Sequence, residues 1–490
     1  MNTLKRTLAL VATLAMSATA FASCGDDKKD EGNKAETTTA AATEAATDAP
    51  AEETTAEPEN DGTIDPSVGT GGKEFTVVAW NADDVPALIA QWKGLDYDTI
   101  VQDLADGKVE GVNANILNVQ GGDASEKYDQ LFNDGSDIDV YLVEADWALK
   151  YINDDERTLP LSKLGLGDKD FADIYSYTAE VGKDKNGVLK GVSWQAAAGG
   201  FAYRADLAEQ YLGVKTPEEM QAKIDNWDLF VEAAKSISDQ TNGGVALADT
   251  LGGLWQAFAC GRTQPWVVDN KLVIDDSCKK FADTAKALWD CGGVTKNTQW
   301  TDEWTAAGVS GNCMGYFVST WGFGGFFLDA VGGVDGAQYG KWNVCQGPTP
   351  FYWGGTWMVV NPATDNGEEA RDFIISATSD EAQMTEYAKK KPEYVNNSKV
   401  MDKLIADNTV FNEKISGNFK DGQNYFAELA KNAKEINFNG LITANDATIK
   451  SAFSNAIKDE FLDGGKDFDA AMEVFKDKVA EAVPDLEWDD

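Results

Sequence analysis

The sequence contains no histidine. A Ser-His-Asp triad or a Cys-His pair moves its proton on an imidazole, so both kinds of nucleophilic engine are excluded. Zinc sites built on histidine are excluded with them. Positive charge is scarce too: 42 Lys and Arg stand against 82 Asp and Glu, a formal net charge of -40. Such a surface repels phosphate backbones and argues against nucleic acid as a partner. Beyond the first two dozen residues there is no continuous apolar run of 18 or more. The best candidate, Phe317 to Val334, is broken by five glycines and Asp329, and reads as core or cleft rather than a membrane span. Cysteine is sparse. After Cys24 an odd five remain, Cys260, Cys278, Cys291, Cys313 and Cys345, with no CxxC spacing to suggest thiol redox chemistry or a zinc ribbon. Buried small hydrophobes are expected for most of them. One or two disulfides stay open as alternatives, with no pairing indicated by spacing. Phosphate-loop, GxGxxG and EF-hand patterns all fail at required positions: Gly340-Lys341 is followed by Trp342, Phe327 stands where a third glycine belongs, and the run starting at Gly182 ends on Ser193. No metal or cofactor is expected.

What is present starts with an export signal. Lys5 and Arg6 precede the mostly apolar stretch Leu8 to Ala22, too short for a stable span. Ala22 and Ser23 then meet Cys24 in an order that resembles a bacterial lipobox, with Phe21 in place of the usual Leu. Cys24 is therefore the expected lipidation site, and residues 1–23 the removed signal. Residues 25–72 carry 13 acids and 3 lysines among Thr, Ala and Pro. That composition is expected to leave residues 24–72 a disordered acidic linker. A coil of this length reaches about 35–42 Å root-mean-square.

The remainder is 43% hydrophobic over the whole chain, enough for a large core and two to three domains. Strand runs at 74–80, 112–116 and 139–143 alternate with helical patterns, one of them carrying Tyr128, Leu131 and Phe132. Further helical faces are marked by Trp227, Phe230 and Ala234, by Phe281, Ala285 and Trp289, and by Phe468 to Val483. Strand–helix alternation predicts an α/β protein with largely parallel sheets. A chain of this length divides naturally into two lobes, with the ligand in the crevice between them.

The segments DVYLVEADWALKYI (139–152), GVSWQAAAGGFAYRADLAEQYLG (191–213), TQWTDEW (298–304), GYFVSTWGF (315–323) and PFYWGGTWMVV (350–360) resemble, in that order, extracellular solute-binding proteins of family 1. These are receptors of sugar-importing ABC transporters, the group that includes maltose-binding protein. The resemblance implies a type II periplasmic-binding-protein-like fold. Lobe 1 would take 73–193 and 354–398, and lobe 2 would take 194–353 and 399–490. Hinges would fall near 193–199, 348–354 and 396–399. It implies a lipid-anchored monomer outside the cell membrane that captures an oligosaccharide and passes it to permease subunits, without catalysis.

A sugar offers apolar C–H faces and hydroxyl edges, which call for aromatic rings beside carboxylates and amides. Such residues cluster at Trp80, Asn81, Asp83 and Asp84; at Glu144, Asp146 and Trp147; at Trp194 and Gln195; and at Tyr352, Trp353, Gly354 and Gly355. Trp321 lies in the stretch where the family stacks a lobe 2 Trp on sugar. Asp84 stands where the family often has a basic residue. Asp146 is read equally as a helix N-cap, and Trp255 as a platform or a core residue; Trp227, Trp289 and Trp342 are read as core. Two other functions remain open at this stage. Paired carboxylates need no histidine, so a secreted glycoside hydrolase is one. A sugar-sensing or adhesion lipoprotein without transport is the other.

Overall fold

The computed structural model describes residues 62–487, apart from Asp83, Gln120, Val410, Phe411 and Asn439. The expected export signal, the expected lipidation site Cys24, most of the acidic segment and the candidate Asp83 lie outside the described residues. Order begins earlier than the composition predicts. Asp65 N–H donates to the Lys163 carbonyl at 2.8 Å, Gly72 N–H donates to Asp365 at 2.7 Å, and Val68 is buried. Residues 62–72 are thus packed on the domain: Asp65 pairs with Lys163, and Gly69 fits against the Asp365 backbone where a side chain would collide.

Ten strands are described: β1 (Phe75–Ala79), β2 (Val112–Ile116), β3 (Val140–Glu144), β4 (Gly191–Ser193), β5 (Gly199–Arg204), β6 (Val267–Val268), β7 (Lys271–Leu272), β8 (Gly315–Ser319), β9 (Trp342–Cys345) and β10 (Thr356–Val360). They form a five-stranded sheet in the order β2-β1-β3-β10-β4, a three-stranded sheet in the order β8-β5-β9, and the small ribbon β6-β7. In the first sheet β1 runs parallel to β2 and β3, while β10 is antiparallel to both of its neighbours. The second sheet is antiparallel throughout, which corrects the expectation of largely parallel sheets. β5, the central strand, lies more than a hundred residues before both β8 and β9, so no short βαβ crossover dictates its direction.

β1, β8 and β10 are buried along their whole length, as strands covered on both faces must be. The helices follow the predicted apolar faces: Trp227–Thr241, Asp276–Cys291 and Phe468–Ala482 all turn those faces into the core. Trp227, Trp289 and Trp342 are buried, as read from the sequence. The apolar interior falls into two clusters, one around β1, β3 and β10 and one around β5 and the helices Leu251–Ala259 and Asp276–Cys291. All five described cysteines are free thiols, buried or half-buried.

Two chain segments, 194–198 and 346–355, join the two sheets, and a third around Asn396, between two helices, is hydrogen-bonded to the first of them. Asn396 N–H donates to the Trp194 carbonyl at 2.7 Å, Gly199 N–H to Phe351 at 2.8 Å, and Trp353 N–H to Ala197 at 3.0 Å. Asn396 anchors the group with its side chain, donating to the Ser193 carbonyl at 2.8 Å and accepting from Tyr175 N–H at 3.1 Å.

Candidate functional site

The strand ends of the first sheet, the joining segments and the helices around the second sheet meet at one crevice. A cavity of about 70 Å³ lies there, lined by Ala145 and Asp146 after β3, by Tyr352, Trp353 and Gly354 on a joining segment, and by Trp255, Cys260, Arg262 and Lys450 from the side of the second sheet.

The acidic corner is built on β3. Glu144 pairs in register with Thr356 of β10, and its Oε2 accepts the Asp146 backbone N–H at 2.8 Å. Burial, and then the Asp146 carboxylate, push the Glu144 carboxyl up to about 8. Asp146 is exposed and does not cap the next helix; Trp147 holds that position, with no side-chain cap bond. Instead the Asp146 carboxylate reaches Lys450 at 3.2 Å, from the helix Asp446–Asn455. Burial pulls the Lys450 ammonium down, yet Asp146 and Glu144 outweigh it and hold it above its ordinary value. Next to it, Arg262 lies 4.4 Å over the Trp266 ring and 3.6 Å from Asp446, whose carboxyl burial raises to about 6.

A second polar knot sits where the joining segments cross. Gln195 Nε2 donates to Glu393 at 3.1 Å and to Asp84 at 3.4 Å. Tyr387 donates its hydroxyl to Asp84 at 2.8 Å, and Thr320, just past β8, donates to Glu393 at 3.0 Å. Burial and the Asp84 carboxylate push the Glu393 carboxyl up to about 8.

The aromatic wall is built on Trp353, which lines the same cavity. Trp321, half-buried after β8, donates its indole N–H to the Trp353 carbonyl at 2.7 Å. The two rings meet edge to face with centroids 5.3 Å apart, and Phe326 closes against both. Gly354 has φ of 73°, and a Cβ there would come within 3.1 Å of Trp321 Nε1, so glycine is what lets the ring lie on the backbone. Gly355 has φ of 97° and accepts the Ala145 N–H at 3.0 Å, tying the wall to the acidic corner.

The structure thus brings Glu144, Asp146, Tyr352, Trp353, Gly354, Gly355 and Trp321 together, with Asp84 and Gln195 in the adjoining knot. Trp80 and Asn81 are half-buried at the end of β1. Three aromatic candidates are corrected, because stacking on a sugar needs an exposed ring face. Trp147 is packed edge-on against Tyr128 and Tyr151 at 5.4 and 5.9 Å. Trp194 is fully buried, since neighbouring segments cover both sides of the crossing it occupies. Trp255 is wedged between Phe281 and Phe453 at 4.7 and 4.8 Å, and borders the cavity without offering it an open face. Sequence reasoning missed Glu393, Tyr387, Arg262 and Lys450, none of which stands beside an aromatic at a strand end, and Thr320, which does stand beside Trp321 after β8. It also passed over Trp300, although the run TQWTDEW containing it was singled out.

The family profile described as bacterial extracellular solute-binding protein matches residues 105–411. The chain belongs to that family. This places it, at the level of the family, among exported binding proteins rather than enzymes. No curated protein sequence matches the chain. Its two-lobed fold is that of solved solute-binding proteins. A crystal structure titled extracellular solute-binding protein family 1 superposes with a TM-score of 0.70 at 17% identity, over 84% of this chain and 100% of that one. The galacto-N-biose-/lacto-N-biose I-binding protein of the ABC transporter from Bifidobacterium longum, in complex with lacto-N-biose, gives 0.62 at 16% identity over 85% and 98%. An ABC transporter associated binding protein from B. animalis subsp. lactis, in complex with beta-1,6-galactobiose, gives 0.61 at 18% identity over 85% and 100%.

Proposed function

We propose that this solute-binding protein captures a carbohydrate, an oligosaccharide by preference, and hands it to the permease of an ABC transporter. The observation that carries the reading is that Trp353, backed by Trp321, and Asp146, bonded to Glu144, border one cavity. Rings cover the C–H faces of a pyranose, and carboxyl and amide groups bind its hydroxyl edges. Glu144, holding its proton near neutral pH, would both donate to and accept from hydroxyls. The similar folds titled with lacto-N-biose and galactobiose support the same class of ligand.

The joining segments act in this reading as hinges, with lobes at 73–193 and 354–398 against 194–353 and 399–490. A cavity of about 70 Å³ is well below the roughly 300 Å³ of a small-molecule pocket. The Asp146–Lys450 and Thr320–Glu393 contacts bridge the two sides and would break for the ligand to enter and re-form around it. The protein is anchored through lipid on Cys24 and works as a monomer at the outer face of the membrane.

A thermal-shift screen against neutral and acidic sugars, amino acids and peptides tests the reading. Tight binding to the native state must raise the melting temperature, by about 2.7 kcal/mol of stability at a hundredfold excess over Kd. A shift with amino acids or peptides and none with sugars would overturn it. The bound sugar should be recovered intact; hydrolysis products in excess of the protein would point to an enzyme. Cys24→Ala should leave the protein unprocessed or free in the medium, and membrane fractionation of the variant reads this out.

A further inference from the structure

Trp300 stands apart from every other tryptophan described. It is 58% exposed, whereas Trp304, four residues on, is fully buried. Its backbone is left-handed, with φ of 70°, a conformation that a bulky side chain rarely adopts. The residues after it are firmly held: Thr301 caps the helix Asp302–Ser310, and Trp304 donates its indole N–H to Asp249 at 2.9 Å. The strain is therefore maintained by its surroundings, and its effect is to bring an indole to the surface against the wall of the crevice. The Trp300 ring lies 6.4 Å from Trp321 at an interplanar angle of 22°, 5.8 Å from Trp353 and 5.3 Å from Phe326.

A sugar ring sandwiched between two indoles needs contact distance on both faces, about 7–8 Å in all at ~3.5–4.0 Å per contact. The 6.4 Å separation of Trp300 and Trp321 is too short for that. The two rings instead pack directly on each other and, with Trp353 and Phe326, form one aromatic cluster whose exposed member is Trp300. Backbone strain of this kind concentrates at ligand clamps. Among the described residues, no other exposed aromatic adjoins the wall.

We infer that Trp300 is a specificity-determining residue that stacks on the outer ring of an oligosaccharide whose inner ring lies against Trp321 and Trp353, so that it sets the preference for chain length. The inference rests on the carbohydrate reading above and deepens it. An inner ring alone would not reach Trp300, so a short ligand would gain nothing from it.

The test compares wild type with Trp300→Asn, in which asparagine keeps the left-handed backbone at little strain, and with Trp300→Phe, which keeps an aromatic face. Calorimetric titrations would use mono-, di-, tri- and tetrasaccharides of the maltose and β-1,6-galactobiose series, with melting curves for each protein. The expected result is a loss of about tenfold or more in affinity for the longest ligand bound. The shortest should be little affected, Phe should restore most of the loss, and the ligand-free melting temperature should be unchanged or raised. Equal losses at every chain length, or no loss at any, would overturn the inference and leave the carbohydrate reading standing. So would binding confined to monosaccharides. Absence of sugar binding by the wild type would overturn both.

Discussion

At the scale of single residues, what separates one tryptophan from another here is which face it leaves uncovered. Trp321 is half-buried, held by its own indole N–H on the carbonyl of Trp353, which lines the cavity. Trp289 is buried in the apolar core on the helix Asp276–Cys291, with Lys296 over its ring at 4.5 Å. Trp321→Ala should therefore weaken ligand binding by about 1–3 kcal/mol, the burial of a large side chain. That is about tenfold to a hundredfold in Kd. Trp289→Ala should cost about 3–5 kcal/mol of folding stability instead. Titration calorimetry and denaturant unfolding on the same two variants check the contrast, and full affinity in Trp321→Ala would remove it from the site. Residue types announced this site better than residue positions did. Aromatic–acid pairs at strand ends pointed to Glu144, Asp146, Trp321 and Trp353. The same rule also selected Trp147 and Trp194, since one sequence cannot say which face of a segment a neighbour will cover.

At the scale of elements, the joining segments carry a severe steric demand. A Cβ at Gly199, the first residue of β5, would stand 2.1 Å from the Phe351 ring, and Phe351 is itself fully buried. Gly199→Ala should destabilise the fold by about 1–3 kcal/mol, the range for overpacking a filled core. Gly71→Ala, which meets nothing within 4 Å and has an ordinary φ, is the control and should unfold like wild type. Chemical denaturation of both separates a packing demand from a general glycine effect. The helices were legible because their apolar periodicity is local: Trp227–Thr241 and Phe468–Ala482 could be read directly from it. The direction of β9 and β10 was not, because each pairs with strands more than a hundred residues away.

At the scale of the whole molecule, buried carboxyls couple stability to pH. Glu393 is 6% exposed and faces Asp84, Gln195, Thr320 and the Tyr394 N–H, with Tyr387 and Tyr425 nearby. Its carboxyl is raised to about 8, first by burial and then by Asp84. The native state thus keeps a proton that the unfolded chain has already released, so this contribution is full below about pH 4.3 and is lost as pH rises through about 8. Glu393→Gln removes the titration with little change of shape. Its stability relative to wild type should improve steadily between pH 5 and 8, by a few kcal/mol at about 1.4 kcal/mol per tenfold in proton affinity. Urea unfolding across that range measures it, and parallel curves for the two proteins would show that Glu393 is charged in the native state.

Composition and order along the chain determined the class of this protein by themselves. The missing histidine, the acid excess and the order of segments that resemble solute-binding proteins are one-dimensional facts, and they were enough to point to a two-lobed binding protein. The periodicity of the helices is just as local, set by what repeats every three to four residues. Only the tertiary structure decided which side chains face the crevice. Glu393 meets Thr320 and Gln195, and Lys450 meets Asp146, across sequence separations of 73, 198 and 304 residues. Trp300 is exposed because Trp304, four residues on, is anchored to the distant Asp249, a contact that the sequence around Trp300 does not reveal. Burial and long-range pairing belong to the packed chain, and a site made where two sheets meet cannot be read from either one alone.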